Sequence, residues 1–316
     1  MDYFWQKLNK PFTALAPLDG VTDVAFRQII TEIGKPDVLF TEFTACAGIL
    51  SSGSSHVAEN LLFSIKEQPI VAQIWGHDPS QFYTVAKKLK KMGFAGIDIN
   101  MGCPIKKIIK NGACAALIQN PDLAVDIIRA TQKGAGDLPV SVKSRIGNKD
   151  ESIDDWIGVL LKQNLPALTV HLRTVSEMSK PPAHWEYMPR IIKLRDKLSP
   201  STLIIGNGDI DSLSDIDLKY KQYGCDGFMV GRGIFKNPWL FNKAIDIEKV
   251  TISERIELYL LHIEYFTKWK KGKNFSLLKK FAKTYISNFE DASDLREKLM
   301  NTKTLEELKS LLLDYK

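Results

Sequence analysis

Apolar residues along this 316-residue chain follow two rhythms. The first is a set of short, nearly continuous apolar runs of the kind that form strands buried on both faces. Eight occur: FTALAPL (12–18), VLFTEF (38–43), IVAQIWG (70–76), GIDINMG (96–102), PVSVKSR (139–145), ALTVHLR (167–173), TLIIGNGD (202–209) and GFMVGRG (227–233). The second is helical periodicity in the longer segments between them, such as PSQFYTVAKKLKKMG (79–93) and PDLAVDIIRATQKG (121–134). Each of these opens on a helix-start signal and ends on glycine. Eight strands alternating with helices predict parallel strands joined by crossovers, and closing eight such units gives a (β/α)₈ barrel of about 240 residues. An open doubly wound sheet would share the alternation. The count of eight favours closure, as do the polar and reactive residues at the C-terminal end of nearly every run.

Beyond Phe241 the strand rhythm stops. ISERIELYLLHIEYFTKW and SLLKKFAKTYISNF read as amphipathic helices, and Asp291–Lys316 supplies one or two more. The expected organisation is therefore a barrel domain over residues 1–244 followed by a small helical domain over 245–316.

Composition narrows the class. With 44% hydrophobic and 25% charged residues, the chain has the make-up of a soluble globular protein. No apolar run approaches the roughly 20 residues needed to span a bilayer. The N-terminal MDYFWQKLNK lacks the layout of a secretion signal. Cys46, Cys103, Cys114 and Cys225 show neither a CxxC pair nor metal-ligand spacing, so no metal is expected and a reducing cytoplasm suits them. A monomer is the expectation. The net charge of +6 is weak evidence for a polyanionic partner, but its distribution says more: Lys268–Lys283 carries seven lysines and no acid.

In a barrel the C-terminal strand ends converge on one site, so they are taken in order. The first run leads into Ala16, Pro17 and Leu18, a turn that brings backbone close to a flat ligand. Gln73 in the third run either satisfies a neighbouring backbone group or reads the polar edge of a heterocycle. The fourth ends in Asn100-Met101-Gly102-Cys103-Pro104, where a thiol in a turn at the mouth is placed for chemistry; an inert thiol would fit better within the strand. Lys106 and Lys107 follow, either a solvated face or a preference for an anionic substrate. Lys143 in the fifth run is costly to bury unless it meets an anion or an electron-rich ring, and Arg145 shares its face. The sixth ends in His171-Leu172-Arg173. The last two close with Asn207-Gly208-Asp209 and Gly231-Arg232, a pairing that in this fold commonly binds phosphate; neither has Rossmann GxGxxG spacing. Together these describe a phosphorylated flat cofactor, and FMN fits: Lys143 would stabilise the charge of a reduced flavin ring, with the Cys103 thiol able to deliver a proton across the substrate.

The stretches APLDGVTDVAFR, VAQIWG, DINMGCP, SVKSRIG, TVHLRT, GNGDI and VGRGIFKNPW, in that order, resemble the tRNA-dihydrouridine synthases along the whole barrel. The resemblance implies reduction of the C5=C6 bond of selected tRNA uridines, with NADPH reducing FMN. Hydride would then pass from flavin N5 to C6, and Cys103 would act as general acid at C5. It places FMN contacts at Ala16, Pro17, Leu18, Gln73, Lys143, His171, Asn207, Gly208, Asp209, Gly231 and Arg232. Substrate contacts would fall at Asn100, Arg145, Arg173, Lys106 and Lys107. The target base would have to be extruded into the pocket, with the lysine-rich tail on RNA phosphates. Three positions depart from the family pattern: Leu18 where methionine is frequent, Leu172 for the glycine of HGRT, and Cys114 where a second glycine is common. Two rivals share parts of this picture. One is a dihydroorotate dehydrogenase-like flavin barrel acting on a free pyrimidine, which would not need the tail. The other is a basic RNA-binding protein on a degenerate barrel.

Overall fold

A computed structural model describes residues 4–51 and 58–316. Its centre is a sheet of parallel strands: β1 (Phe12–Leu15), β2 (Leu39–Phe40), β3 (Thr44–Ala45), β4 (Ile70–Trp75), β5 (Gly96–Met101), β6 (Val140–Arg145), β7 (Ala167–His171), β8 (Leu203–Asn207) and β9 (Gly227–Val230). They are ordered β1-β9-β8-β7-β6-β5-β4-β2, with β3 also on β4. The ring closes where Val38, just ahead of β2, bridges to Ala14 of β1. There the Leu15 amide donates to the Val38 carbonyl and the Val38 amide to that of Thr13, each at 3.1 Å.

All eight apolar runs form strands, and the expected barrel is the observed architecture. The second run differs in detail because it breaks in two. The Thr41 hydroxyl accepts the Gln73 amide at 3.1 Å in place of a backbone carbonyl. Thr41 and Thr44 both turn their hydroxyls onto the Glu42 carbonyl. Such local side-chain bonding competes with the ladder. Pairing therefore stops at Phe40 and resumes at Thr44, which is in register with Ile74.

The intervening helices begin and end where their caps dictate. Asp78 caps Pro79–Met92, which closes on Gly93 at φ 83°, and Asn120 caps Pro121–Ala135, which closes on Gly136. Inside the ring, Phe12, Phe40, Ile205 and Met229 pack with Trp5, which rises from the turn Phe4–Lys7 and fills the end remote from the strand C-termini. Gly227 is required there, since a Cβ would lie 2.4 Å from the Phe12 ring.

After β9 the described chain is helical. Thr251 and Glu254 form a capping box for the helix Ile252–Trp269, which packs on helix α1 (Val24–Gly34). Phe26 of α1 stacks on Phe281 at 5.2 Å, and His262 hydrogen-bonds the Tyr285 hydroxyl at 3.0 Å. Residues 276–289, expected as one helix, form two short turns, Ser276–Lys279 and Ala282–Tyr285. The Tyr259 hydroxyl donates to the Leu278 carbonyl at 2.9 Å, and the same carbonyl accepts the Phe281 amide, so the chain tightens there. Two further helices, Ala292–Asn301 and Leu305–Asp314, complete the chain.

The lysine run does not present one basic face. Lys279 donates to the carbonyls of Met300 and Thr302, and Lys280 to that of Gly20. Lys273 pairs with Glu59 at 3.0 Å, while buried Lys270 lies 3.9 Å from both Asp23 and Glu59. Lys268, Lys271 and Lys283 are exposed. No described helix is long and apolar enough to cross a membrane.

Candidate active site

The C-terminal strand ends enclose a cavity of about 640 Å³. Ala16, Pro17 and Leu18 line it from the β1 side, and Asn100 and Cys103 from β5 and the turn after it. Lys143 and Arg145 enter from β6, His171 and Arg173 from β7. Asn207, Gly208 and Asp209 complete the wall with Gly231 and Arg232. Of the residues read from the sequence, Gln73, Lys106 and Lys107 do not line it.

Gln73 lies one layer beneath. It is fully buried, its amide nitrogen donating to Asp98 at 2.7 Å and its oxygen accepting from Asn100 at 2.9 Å. Asp98, which sequence reasoning missed, also accepts the Ser141 hydroxyl at 2.6 Å. Burial pushes its carboxyl up to about 6, against the hydrogen bonds from Ser141 and Gln73 and the charge of Lys143. Through this chain Gln73 orients Asn100, whose Oδ1 accepts the amides of Gly102 and Cys103 at 3.0 Å each. Asn100 thus lines the cavity with its amide committed to the turn that carries the thiol. Lys106 and Lys107 sit exposed on the short helix Lys106–Lys110 just past that turn.

Cys103 is 9% exposed. Its thiol is drawn down to about 7, first by a hydrogen bond from the Cys114 thiol and then by the Ile105 amide and the Arg145 charge; burial and Asp19 oppose this. Burial holds the Cys114 thiol well above its ordinary range, so it stays protonated and donates. Cys114 sits at φ 53°, in the left-handed region that glycine occupies without strain. The departure from glycine noted in the sequence thus falls on a backbone suited to glycine, and the side chain it adds touches the reactive thiol. It is fully buried at the head of the turn Cys114–Gln119.

Lys143 donates to the Asn207 amide oxygen at 3.1 Å, and Asn207 is itself fixed by donating to the Met229 carbonyl at 2.7 Å. Burial, with Arg145 nearby, lowers the ammonium to about 8. Burial, reinforced by Lys143, Arg145, Arg173 and Arg232, holds His171 well below its ordinary range, so the imidazole is neutral. Its Nε2 lies 3.1 Å from Arg173 Nη1; arginine can only donate, so Nε2 accepts and Nδ1 carries the proton.

The two arginines expected at the substrate both line the cavity and also hold its walls. Arg145 donates to the carbonyls of Gly102, Thr174 and Met178 at 2.7–2.9 Å, tying the thiol turn to the loop after β7. Arg173 donates to Pro181 and pairs with Asp209 at 2.5 Å. Asp209, at φ 47°, also accepts the Ala183 amide and lies 3.4 Å from Arg232. At Gly231 an added Cβ would meet nothing closer than Ala16 at 4.0 Å, so the glycine keeps open space that belongs to the cavity.

The profile of the family described as dihydrouridine synthase matches residues 14–316. "Probable tRNA-dihydrouridine synthase" of Staphylococcus aureus (strain MRSA252) is 44% identical, over 99% of this chain and 95% of its own. "Probable tRNA-dihydrouridine synthase 2" of Bacillus subtilis (strain 168) is 43% identical, over 99% and 96%. Among solved structures, a 2-naphthoyl-CoA reductase complex superposes with TM-score 0.58 at 9% identity, over 76% of this chain and 52% of its own. Histamine dehydrogenase from Rhizobium sp. 4-9 gives 0.54 at 13%, over 80% and 48%. At such identities the two superpositions speak to the barrel fold.

Proposed function

This chain belongs to the dihydrouridine synthase family, and from that premise we propose that it reduces uridines in tRNA to dihydrouridine, using FMN and NADPH. The observation that carries the reading is the opening of a half-buried lysine and an acidified thiol into one cavity.

A flavin suits this lining. The half-buried Lys143 ammonium has the neutral Asn207 amide as its hydrogen-bond partner, so a charge faces the cavity that an anionic ring edge would balance. The space kept at Gly231, the left-handed backbone of Gly208 and Asp209, and the Arg232 charge suit a phosphorylated tail. Ala16, Pro17 and Leu18 would support the ring, with Gln73 acting from beneath through Asn100. When bound, a reduced flavin supplies hydride for a carbon–carbon double bond.

The chain's own residues supply the rest. Cys103 gives its proton to uracil C5; acidity near neutrality serves a group that must donate and then be recharged. Asn100 and Arg145 hold the thiol turn from opposite sides. Neutral His171, with Nδ1–H free of the Arg173 bond, is a hydrogen-bond donor to the cofactor. The base must leave the RNA stack to enter. Exposed Lys106 and Lys107 at the rim, with the residue 245–316 helical domain, form the RNA side of the interface.

The test is the dihydrouridine content of unmodified tRNA after incubation with purified protein, FMN and NADPH. New dihydrouridine is expected, and mapping it identifies the target position. A yellow protein whose flavin is reduced by NADPH, yet which fails on cognate tRNA and saturates a free pyrimidine, would overturn the choice of substrate.

A further inference from the structure

The turn after β1 is gripped from two directions, and we propose that its outer grip, Lys280 of the C-terminal helices, is a positioning residue for the cavity rather than a contact to RNA. The proposal rests on the flavin reading above. Gly20 is the tip of a tight turn at φ 67°. The Leu18 carbonyl accepts the amides of Val21 and Thr22 at 3.0 Å, and the Leu18 amide donates to the Thr22 hydroxyl at 2.8 Å. Both polar groups of Gly20 are bonded outside this turn. Its amide donates to the buried Glu42 carboxyl at 2.6 Å, and its carbonyl accepts the Lys280 ammonium. Glu42 belongs to the barrel, whereas Lys280 lies 260 residues along the chain from Gly20.

What the grip holds is part of the cavity. Ala16, Pro17 and Leu18 immediately precede the turn and line the wall, and the Asp19 carboxylate acts on the Cys103 thiol. The turn therefore sets both a face of the cofactor site and, through Asp19, one of the charges that act on the proton donor. Lys280 is surrounded by Asp19, Asp23 and Glu42, with Lys270 as the like charge beside it, and its ammonium lies 5.0 Å from the Phe281 ring centre. The side chain stays exposed, and its bond to the Gly20 carbonyl is what ties it to the turn. The helical domain thus shapes the cavity before any RNA arrives.

The experiment measures FMN dissociation from purified protein in RNA-free buffer, by flavin fluorescence, for the parent, Lys280→Met and Lys280→Arg, alongside the melting temperature of each. Loss of one charge-assisted hydrogen bond should weaken FMN binding about tenfold in Lys280→Met. Melting should fall modestly, as for the other docking lysines, and Lys280→Arg, which keeps the donor, should restore FMN affinity. If Lys280→Met binds FMN within about twofold of the parent, the inference is wrong while the flavin reading stands. A parent that binds no FMN sinks both. Should the methionine variant not fold, Lys280→Gln takes its place and the same two thresholds apply, since its shorter amide cannot reach with a full charge.

Discussion

Cys103 is where a single atom separates the two halves of the proposed reaction. Cys103→Ala should keep FMN bound and reducible by NADPH, while transfer to tRNA falls by roughly 10²–10⁴-fold, the range for a lost general acid; rapid-mixing kinetics separate the steps. The thiol titrates near 7 and donates only when protonated, so transfer to RNA should decline as pH rises through that value. Because the Cys114 thiol is the largest influence drawing Cys103 down, Cys114→Ala should move this decline to higher pH in single-turnover pH profiles. An unmoved profile would mean that the sulfur–sulfur contact has no catalytic effect. Cys103 was legible in the sequence because its turn is marked by Gly102 and Pro104. Its partner was not, since Cys114 lies 11 positions away and its left-handed backbone is invisible to composition. Gln73 was legible as a polar residue in a strand, but not its depth. It sits mid-strand in β4, one layer below the mouth, and periodicity carries no information on height within a barrel.

At the scale of elements, the eight strands could be read because strands buried on both faces keep nearly unbroken apolar runs. The break between β2 and β3 could not, because it depends on which acceptor the Gln73 amide finds. Likewise, residues 276–289 have helical periodicity, and it takes the Tyr259 hydroxyl from another helix to tighten them into two turns. The junction of α1 with the segment ahead of β4 rests on a buried ion pair. Arg27 Nε lies 2.6 Å from Glu67, both side chains wholly enclosed, and Arg27 also donates to the Thr22 and Leu62 carbonyls. Arg27→Met should cost about 3–5 kcal/mol by leaving a buried carboxylate without its cation, read as a lower midpoint in urea. Adding Glu67→Leu should recover much of that loss. A single variant as stable as the parent would show that solvent reaches Glu67.

Over the whole molecule, net charge proves a poor guide to where RNA would bind. Four of the seven lysines in 268–283 (Lys270, Lys273, Lys279 and Lys280) are engaged with carboxylates or carbonyls, so the run docks the helical domain onto the barrel and onto its own last helices. A sequence reports charge but not the carbonyl that meets it. Lys106→Ala with Lys107→Ala should therefore flatten the salt dependence of tRNA binding, by about 0.7–0.9 in log–log slope for each phosphate no longer neutralised. Lys279→Ala should leave that slope unchanged and lower the melting temperature instead; filter binding across a salt series and thermal scans decide between them. One consequence reaches past equilibrium. The barrel is closed by a thin seam in which β1 meets the edge of a two-residue strand through Val38, with the Asp37 carboxylate accepting the Thr13 amide and hydroxyl beside it. On its other side β1 is laddered to β9 along its full length. In hydrogen–deuterium exchange, the amides of Leu15 and Val38 should lose protection well before those of β5 and β6, since local openings follow the thinnest bonding. The strand freed at that seam is the one that leads into Ala16–Leu18. The residence time of a bound cofactor would then be set by the opening frequency of the ring, and not by the global unfolding of the protein.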